Sequence, residues 1–171
     1  MTCTTERLMD LAESHMRRAG YSGFSFRDLA DEAGIRSASV HHHFPTKAML
    51  AARVVRRAAE RFATRVTPTA HETPEDAVAA YRSALRASLG PDGLMCLFGV
   101  LGAETGGLAT EVSDEILAFS RNCVADLSRR LGGSDATQRA FQIIAVLEGG
   151  VMLARVYRNM EPFEHAAAAL A

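Results

Sequence analysis

The sequence has few cysteines, no apolar leader and no strand-like alternation, and each absence excludes a class of protein. The three cysteines, Cys3, Cys96 and Cys123, are odd in number and form no C-x-x-C pair. Neither a disulfide framework nor a cysteine zinc site is therefore indicated. The first residues contain no apolar core, so no signal peptide is predicted. No segment shows the sustained period-two pattern of a strand.

The most apolar stretch covers residues 140–154 and is interrupted by Gln142 and Glu148. We predict that it is too short and too polar to span a bilayer. A chain of 171 residues with 48% hydrophobic and 23% charged residues has a globular composition and suits one ordinary domain or two small ones. We therefore expect a cytoplasmic protein with no membrane partner.

Charge is divided unevenly along the chain. Residues 1–66 carry eleven basic and seven acidic side chains, a net of +4, whereas the remaining residues carry eight and thirteen, a net of −5. Chance scatter can produce such a difference, so the counts leave two alternatives open. The functional alternative is a basic N-terminal module that binds a polyanion, followed by an acidic module.

Apolar residues recur at helical spacing throughout, which predicts an all-α fold. Ser25 can cap a short helix, with Asp28 placed to complete a capping box, and Gly34 ends that helix because it tolerates positive φ. Thr73 and Asp76 offer the same box to a later helix. The alanine-rich C-terminus is expected to fray. The predicted helices cover residues 5–19, 26–33, 37–43, 47–66, 74–89, 94–104, 113–131 and 134–159.

The second and third of these helices have the proportions of a helix-turn-helix. The run around them resembles the signature of the tetracycline-repressor (TetR/AcrR) family of transcriptional regulators, over about the first 50 residues. The matching residues are Gly20, Tyr21, Ser25, Asp28, Leu29, Ala30, Ala33, Gly34, Ile35, Val40, His43, Phe44, Thr46, Lys47 and Leu50.

The resemblance implies two domains. Residues 1–50 would be a three-helix DNA-binding domain that contains the helix-turn-helix. Residues 51–171 would be a helical bundle for ligand binding and dimerisation, with the helix at about 47–66 connecting the two. It also implies a pseudo-palindromic operator and a homodimer formed through helices 113–131 and 134–159. The last helix is apolar almost all around, which independently favours a dimer.

Four positions depart from the family pattern. The family usually has Ser or Thr at the place of Arg36, so we expect Ser37 to cap the recognition helix instead. It usually has Gly and then a small residue where Ala38 and Ser39 stand. It has Tyr where His41 stands, a ring that commonly contacts a DNA phosphate in relatives, and an imidazole can do the same.

The three consecutive histidines do not predict a metal site. Successive helical residues point about 100° apart, whereas ligands to one ion need i, i+3 or i+4 spacing. We expect His41 and His42 to face DNA, and His43 to be the buried member with a local hydrogen bond beside Phe44.

Lys47 is the only lysine, and it stands at a helix start, where the helix dipole disfavours a cation. A phosphate partner would explain this placement; an ordinary surface lysine is the alternative. The arginines of the same helix are expected to form its solvated face. The predicted DNA-contacting residues are Ser25, Arg36, Ser37, Ala38, Ser39, His41, His42 and Lys47.

Large or soft side chains recur on inward faces of the second domain, with a few polar groups near them. Plain core is the commoner meaning of such a pattern. An unpaired polar group in apolar surroundings is costly, however, and a mostly apolar cavity with polar anchors is the usual build of a small-molecule site. The resemblance implies a pocket here. Its predicted residues are Phe62, Tyr81, Leu85, Met95, Phe98, Phe119, Asn122, Cys123, Glu148 and Met152.

The expected function is a ligand-responsive transcription factor, a repressor released from DNA by a small, mostly apolar effector. One alternative makes Cys96 or Cys123 a thiol sensor of oxidants or electrophiles, although small buried hydrophobes are commoner. A second alternative, a small helical enzyme, lacks a nucleophile–base or paired-carboxylate constellation of recognisable spacing. No cofactor and no metal are predicted.

Overall fold

The computed structural model describes residues 4–89 and 95–170, and every regular element within them is helical. The all-α prediction is thus confirmed. Cys3 and the predicted helix start at Leu94 lie outside the described residues. Short 3₁₀ turns cover Tyr21–Gly23 and Thr105–Gly107. The α-helices are α1 Thr4–Ala19, α2 Phe26–Ala33, α3 Ser37–His43, α4 Lys47–Arg65, α5 Pro74–Ser88, α6 Leu97–Ala103, α7 Thr110–Leu131, α8 Ala136–Tyr157 and α9 Glu161–Ala168.

Helix starts follow the capping signals in the sequence. The Ser25 side chain accepts the Asp28 N–H, and the Asp28 carboxylate accepts the Ser25 N–H at 2.8 Å. Thr73 and Asp76 make the same reciprocal pair at the start of α5. Gly34 adopts φ 69°, the left-handed conformation that ends α2. Both predicted capping boxes and the predicted turn glycine are confirmed because each depends only on neighbouring residues.

One compact unit contains the chain up to Ala59 together with Leu97–Leu117. Its core joins α1–α4 to α6 and the start of α7: Leu97, Leu101, Val112 and Ile116 are buried with the helix-turn-helix residues. The first compact unit therefore extends beyond the predicted domain boundary at residue 50, because α6 buries its apolar side chains in the same core. The functional division at residue 50 remains a proposal.

The second compact unit contains Glu60–Cys96 and the chain from Ala118 onward. In it α8 packs against α5 and α9. The short helix α9 was not predicted, because the alanine-rich end was expected to fray. Phe163 is completely buried and lies where a side chain at Gly150 would be, 3.2 Å from the position of a Cβ atom. This close approach holds α9 against α8.

Helix α8 lies within the predicted range 134–159 and contains the whole apolar stretch 140–154. It spans 22 residues and, by length and composition alone, could cross a membrane, so the prediction that this stretch is too short and too polar is wrong. A single helix of this kind is weak evidence, because core helices of water-soluble proteins have the same length and composition. Leu147 and Val151 pack in the core of the second unit, while other apolar side chains of α8 stay exposed.

Candidate functional site

The helix-turn-helix presents a polar face to solvent. Leu29 and Val40 are fully buried behind it, and the turn is closed by the Ile35 N–H, which donates to the Ala30 carbonyl at 3.0 Å. The predicted DNA-contacting residues of this motif lie on its outer side. Ser25, Arg36, Ser37, Ala38, His41 and His42 are exposed, and Ser39 is half-buried.

The cap of α3 differs from the prediction. Arg36, with extended backbone at φ −77° and ψ 143°, is the N-cap residue, and no side chain caps the helix. Ser37 is the first helical residue, so the expectation that it takes over the cap is wrong. The start is set by backbone geometry, since the Arg36 carbonyl accepts the Ser39 N–H at 2.8 Å. A guanidinium carries only donors and could not accept those N–H groups.

The three histidines separate as predicted into two exposed and one half-buried. The His41 ring meets Phe26 edge-on, with 4.8 Å between centroids. The expected local hydrogen bond of His43 is wrong, because its Nδ1 pairs instead with the Thr5 hydroxyl of α1 at 3.1 Å. Within residues 4–89 and 95–170, no group of three His, Cys, Asp or Glu side chains could hold a metal ion.

Lys47 has partners inside its own unit. Its Nζ donates to the Phe24 carbonyl at 2.6 Å and lies 4.7 Å from the Tyr21 ring centroid and 4.5 Å from that of Phe24. Burial lowers the pKa of Lys47, and the Asp28 charge opposes that effect. These contacts explain a lysine at a helix start without any phosphate. The phosphate contact stays a prediction.

A carboxylate ties the end of α6 to the turn after α1. The Tyr21 N–H donates to Glu104 Oε2 at 2.8 Å. Gly20 has φ 74° and ψ −173°, a conformation that glycine alone adopts readily. A Cβ atom at Gly20 would lie 1.8 Å from Glu104 Oε1. Tyr21 and Glu104 are 83 residues apart in sequence, so no local pattern could have indicated this contact.

Arg57 joins α4 to α1 and is not part of a solvated face as expected. Its guanidinium pairs with Glu6 and Asp10 at 2.8 Å and with Glu13 at 3.2 Å, and its side chain is 16% exposed. Those three carboxylates raise the pKa of Arg57 against the effect of burial. This cluster fixes the orientation of α1 on α4 within the first unit.

In the second unit, three of the predicted pocket residues form an aromatic cluster. Phe62 meets Tyr81 and Phe119 edge-on, with 5.7 and 5.3 Å between ring centroids. The buried Tyr81 hydroxyl donates to the Cys123 carbonyl at 3.2 Å and to Asp126 at 3.0 Å. Burial, followed by the charges of Cys123 and Asp126, raises the pKa of Tyr81 far above its ordinary range. The polar group of Tyr81 is therefore satisfied from within.

Arg130 supports this cluster from one side. It lies 5.7 Å from the Tyr81 ring centroid, and its side chain is only 5% exposed. Its guanidinium donates to Glu72 at 2.8 Å, to Asp126 at 2.9 Å and to the Val66 carbonyl at 2.8 Å. Arg130 thus connects α7 with the segment between α4 and α5.

Two buried side-chain oxygens of the second unit have no hydrogen-bond partner among the described residues, Ser128 Oγ and one oxygen of Glu148, which lies near the middle of α8. Its Oε1 accepts the Cys96 thiol at 3.2 Å. Its Oε2 is buried and has no hydrogen-bond partner among the described residues. Burial raises the pKa of Glu148. Burial also raises the pKa of the Cys123 thiol to about 12, with smaller contributions from the charges of Asp126 and Glu148.

The predicted pocket set is thus only partly brought together. Phe62, Tyr81, Leu85, Met95, Phe119, Cys123 and Glu148 are buried or half-buried in the second unit. The inward orientation expected of Asn122 and Met152 is wrong, because each stands beside a buried neighbour on its helix and points to solvent; Met152 is 52% exposed. Phe98 belongs to the first unit and packs against its core.

Glu148→Gln is expected to gain stability relative to the unsubstituted protein as the pH rises. Because its pKa is raised in the folded chain, Glu148 binds a proton more tightly there than in the unfolded chain. That stability is fully present below the unfolded pKa and is lost as the pH rises through the folded one. Thermal melts from about pH 4 to about pH 8 should show the difference in Tm moving toward the glutamine variant. A difference independent of pH would contradict the assignment.

An apolar stripe on α8 is exposed. Phe141, Met152 and Val156 recur eleven and four residues apart, which places them on one side of the helix. Leu153 and Tyr157 extend the stripe, and Val156 is 70% exposed. A contiguous apolar surface of this kind is typical of a protein–protein interface.

The comparisons with known proteins agree with this geometry. A family model described as "Bacterial regulatory proteins, tetR family" matches residues 8–54. The fold is similar to a TetR transcriptional regulator from Legionella pneumophila, with TM-score 0.90 and 25% identity over 98% of this chain and 95% of that one. A TetR regulator from Chloroflexus aurantiacus is similar with TM-score 0.81 and 26% identity over 98% and 91%. No curated protein sequence matches.

Proposed function

We propose that the chain, as a member of the TetR family of ligand-responsive, DNA-binding transcriptional regulators, is a repressor released from its operator by a small, mostly apolar effector. The observation that carries the proposal is the exposed polar face of α2 and α3 on a buried apolar support. A helix held in this way can enter the major groove with its outer side chains against base edges.

The contacts divide by chemistry. Ser37, Ala38 and His42 on α3 are exposed and able to face base edges, so they would set operator preference. Ser25, Arg36, Ser39, His41 and Lys47 lie around this face and would contact phosphates, which position the protein without reading sequence.

We propose a homodimer formed through α7 and α8, which reads a pseudo-palindromic operator. Regulators of this family bind operator DNA as dimers, and a two-fold protein matches a two-fold operator. The exposed apolar stripe on α8 supports this dimer interface, because the same stripe on a second copy of the chain would cover it and exclude water.

The effector would bind in the second domain. One buried oxygen of Glu148 has no hydrogen-bond partner among the described residues, and the aromatic cluster lies in the same unit, which supports a mostly apolar site with one polar anchor. Coupling between the effector and operator sites is reciprocal, so operator DNA would weaken effector binding by the same factor.

A thiol sensor is not favoured. Cys96 and Cys123 are both buried, and a thiol with a pKa of about 12, like that of Cys123, holds almost no reactive thiolate at neutral pH. We also propose that the protein is a cytoplasmic regulator and has no enzymatic activity.

The proposed function is tested by selecting bound sequences from random duplex DNA and then screening metabolites for release of the selected operator. Recovery of a palindromic sequence bound by the dimer, and its release by a small molecule, is the expected result. Failure to enrich any duplex would overturn DNA reading by α3.

Lys47→Met is expected to weaken binding to all duplexes about equally, because a phosphate contact carries no sequence information. The slope of log affinity against log salt should fall by about one unit. Arg53→Met, which removes a charge from the exposed face of the same helix, is the matched control and should change the slope less. Because Lys47 also bonds Phe24, thermal stability is measured in parallel. An unchanged salt slope in the folded Lys47 variant would show that Lys47 serves only its internal contacts.

A further inference from the structure

The carboxyl group of Glu148 lacks a hydrogen-bond donor for one of its two oxygens among the described residues. Its Oε2 is buried with no hydrogen-bond partner among the described residues, and its other oxygen accepts only a weak donor, the Cys96 thiol. Native proteins satisfy nearly all buried polar atoms, and the exceptions call for a specific explanation. A ligand that supplies the missing donor is such an explanation.

Glu148 and the aromatic cluster both lie in the second unit, and both act on Cys123. The Cys123 carbonyl accepts the Tyr81 hydroxyl, and Tyr81 packs on Phe62, which in turn packs on Phe119. The charge of Glu148 is one of the smaller causes that raise the pKa of the Cys123 thiol, after burial and the charge of Asp126. The second unit therefore offers both a carboxylate and aromatic rings.

We propose that the effector is an apolar organic amine whose protonated nitrogen pairs with the Glu148 carboxylate while its apolar part lies against the rings of Phe62, Tyr81 and Phe119. This inference rests on the proposed function, because it names the chemical class of the effector. A carboxylate next to aromatic faces recognises a cation by an ion pair and by attraction to the ring faces.

The described part of the chain provides no competing cation for this carboxylate. Among the described residues, the group that hydrogen-bonds Glu148 is the Cys96 thiol. Burial is the main cause of the raised pKa of Glu148. Arg130, the guanidinium beside Tyr81, is already engaged by Glu72 and Asp126. Burial raises the pKa of Glu148, and a bound ammonium group favours the ionised carboxylate, so binding of the amine should lower that pKa and release to solvent the protons that Glu148 still holds. The charge change is then balanced by the new ion pair.

The test compares head groups on a constant skeleton. Calorimetry at about pH 7.5, where alkylamines are protonated, measures binding of 4-phenylbutylamine, 4-phenylbutanol and 4-phenylbutyrate, and of decylamine and decanol. The amine should bind more tightly than the matched alcohol by on the order of tenfold or more, because hydrogen bonds to a charged group are stronger. Titration in two buffers of different ionisation enthalpy should reveal proton release.

Glu148→Gln should abolish both the amine preference and the proton release. Glu60→Gln, which removes the same charge at an exposed position of the second unit, should retain both. Equal affinity for amine and alcohol, no amine binding on either skeleton, or a preference that survives Glu148→Gln would each overturn the proposal. These titrations contain no DNA, so a protein that selects an operator and is released by a neutral molecule would lose this inference and keep the proposed function.

Discussion

Replacing Arg130 with methionine is expected to lower the free energy of unfolding by about 3–5 kcal/mol, the usual cost of removing one partner of a buried ion pair. The guanidinium is 5% exposed and holds Glu72, Asp126 and the Val66 carbonyl. Its loss leaves two carboxylates and a carbonyl with fewer donors in a region that water hardly reaches. Methionine retains most of the apolar stem, so the change reports on charge and hydrogen bonds.

Arg129→Met is the matched control for this experiment. Arg129 precedes Arg130 on α7 and pairs with the same Asp126, but its side chain is 69% exposed. Its removal should cost less than about 1 kcal/mol because exposed ion pairs contribute little. Urea denaturation at a fixed protein concentration measures both variants, since the stability of a dimer depends on concentration. Equal destabilisation by the two variants would contradict the role assigned to Arg130.

Val156→Arg, or Leu153→Arg, is expected to convert the proposed dimer into monomers and to lower operator affinity by about 100-fold or more, since linked half-site binding is lost. Both side chains are exposed apolar groups on α8, so the arginine is tolerated by the monomer fold. At a two-fold seam the charge is buried twice. Val146 is a weaker choice because it is half-buried, and its substitution would also disturb the monomer core.

Sedimentation velocity at micromolar concentration distinguishes the assemblies, and operator titration follows on the same samples. Ser83→Arg, an exposed position on α5, is the control for added positive charge and should remain dimeric. A well-folded wild-type monomer at this concentration would remove the proposed dimer. Dimeric Val156→Arg and Leu153→Arg proteins would place the seam elsewhere.

The features that could be predicted from the sequence are those that depend on neighbouring residues. Ser25 with Asp28 and Thr73 with Asp76 form capping boxes over three residues, and Gly34 supplies a left-handed turn on its own. Helical periodicity is equally local, so the all-α class and most helix bounds followed. The family signature is concentrated in the first 50 residues, where the helices and turns of the motif are consecutive, and DNA binding could therefore be predicted from the sequence.

The tertiary structure decided which side chains meet. Lys47 lies over Tyr21, Arg57 gathers three carboxylates of α1, and Glu104 reaches the Tyr21 N–H from 83 residues away. None of these pairs has a local signal, because their geometry depends on helix packing.

Orientation on a helix was likewise decided by packing. Asn122 and Met152 share helices with pocket candidates but face solvent, since a rotation of about 100° per residue separates neighbours by a whole face. Helix α9 was missed because its stability comes from burying Phe163 against Gly150 and not from its alanines. Sequence alone determined the fold class and the DNA-reading motif through local periodicity and capping. Only the packed chain could leave one oxygen of Glu148 buried without a partner among the described residues, because burial is a property of the surroundings and not of the residue.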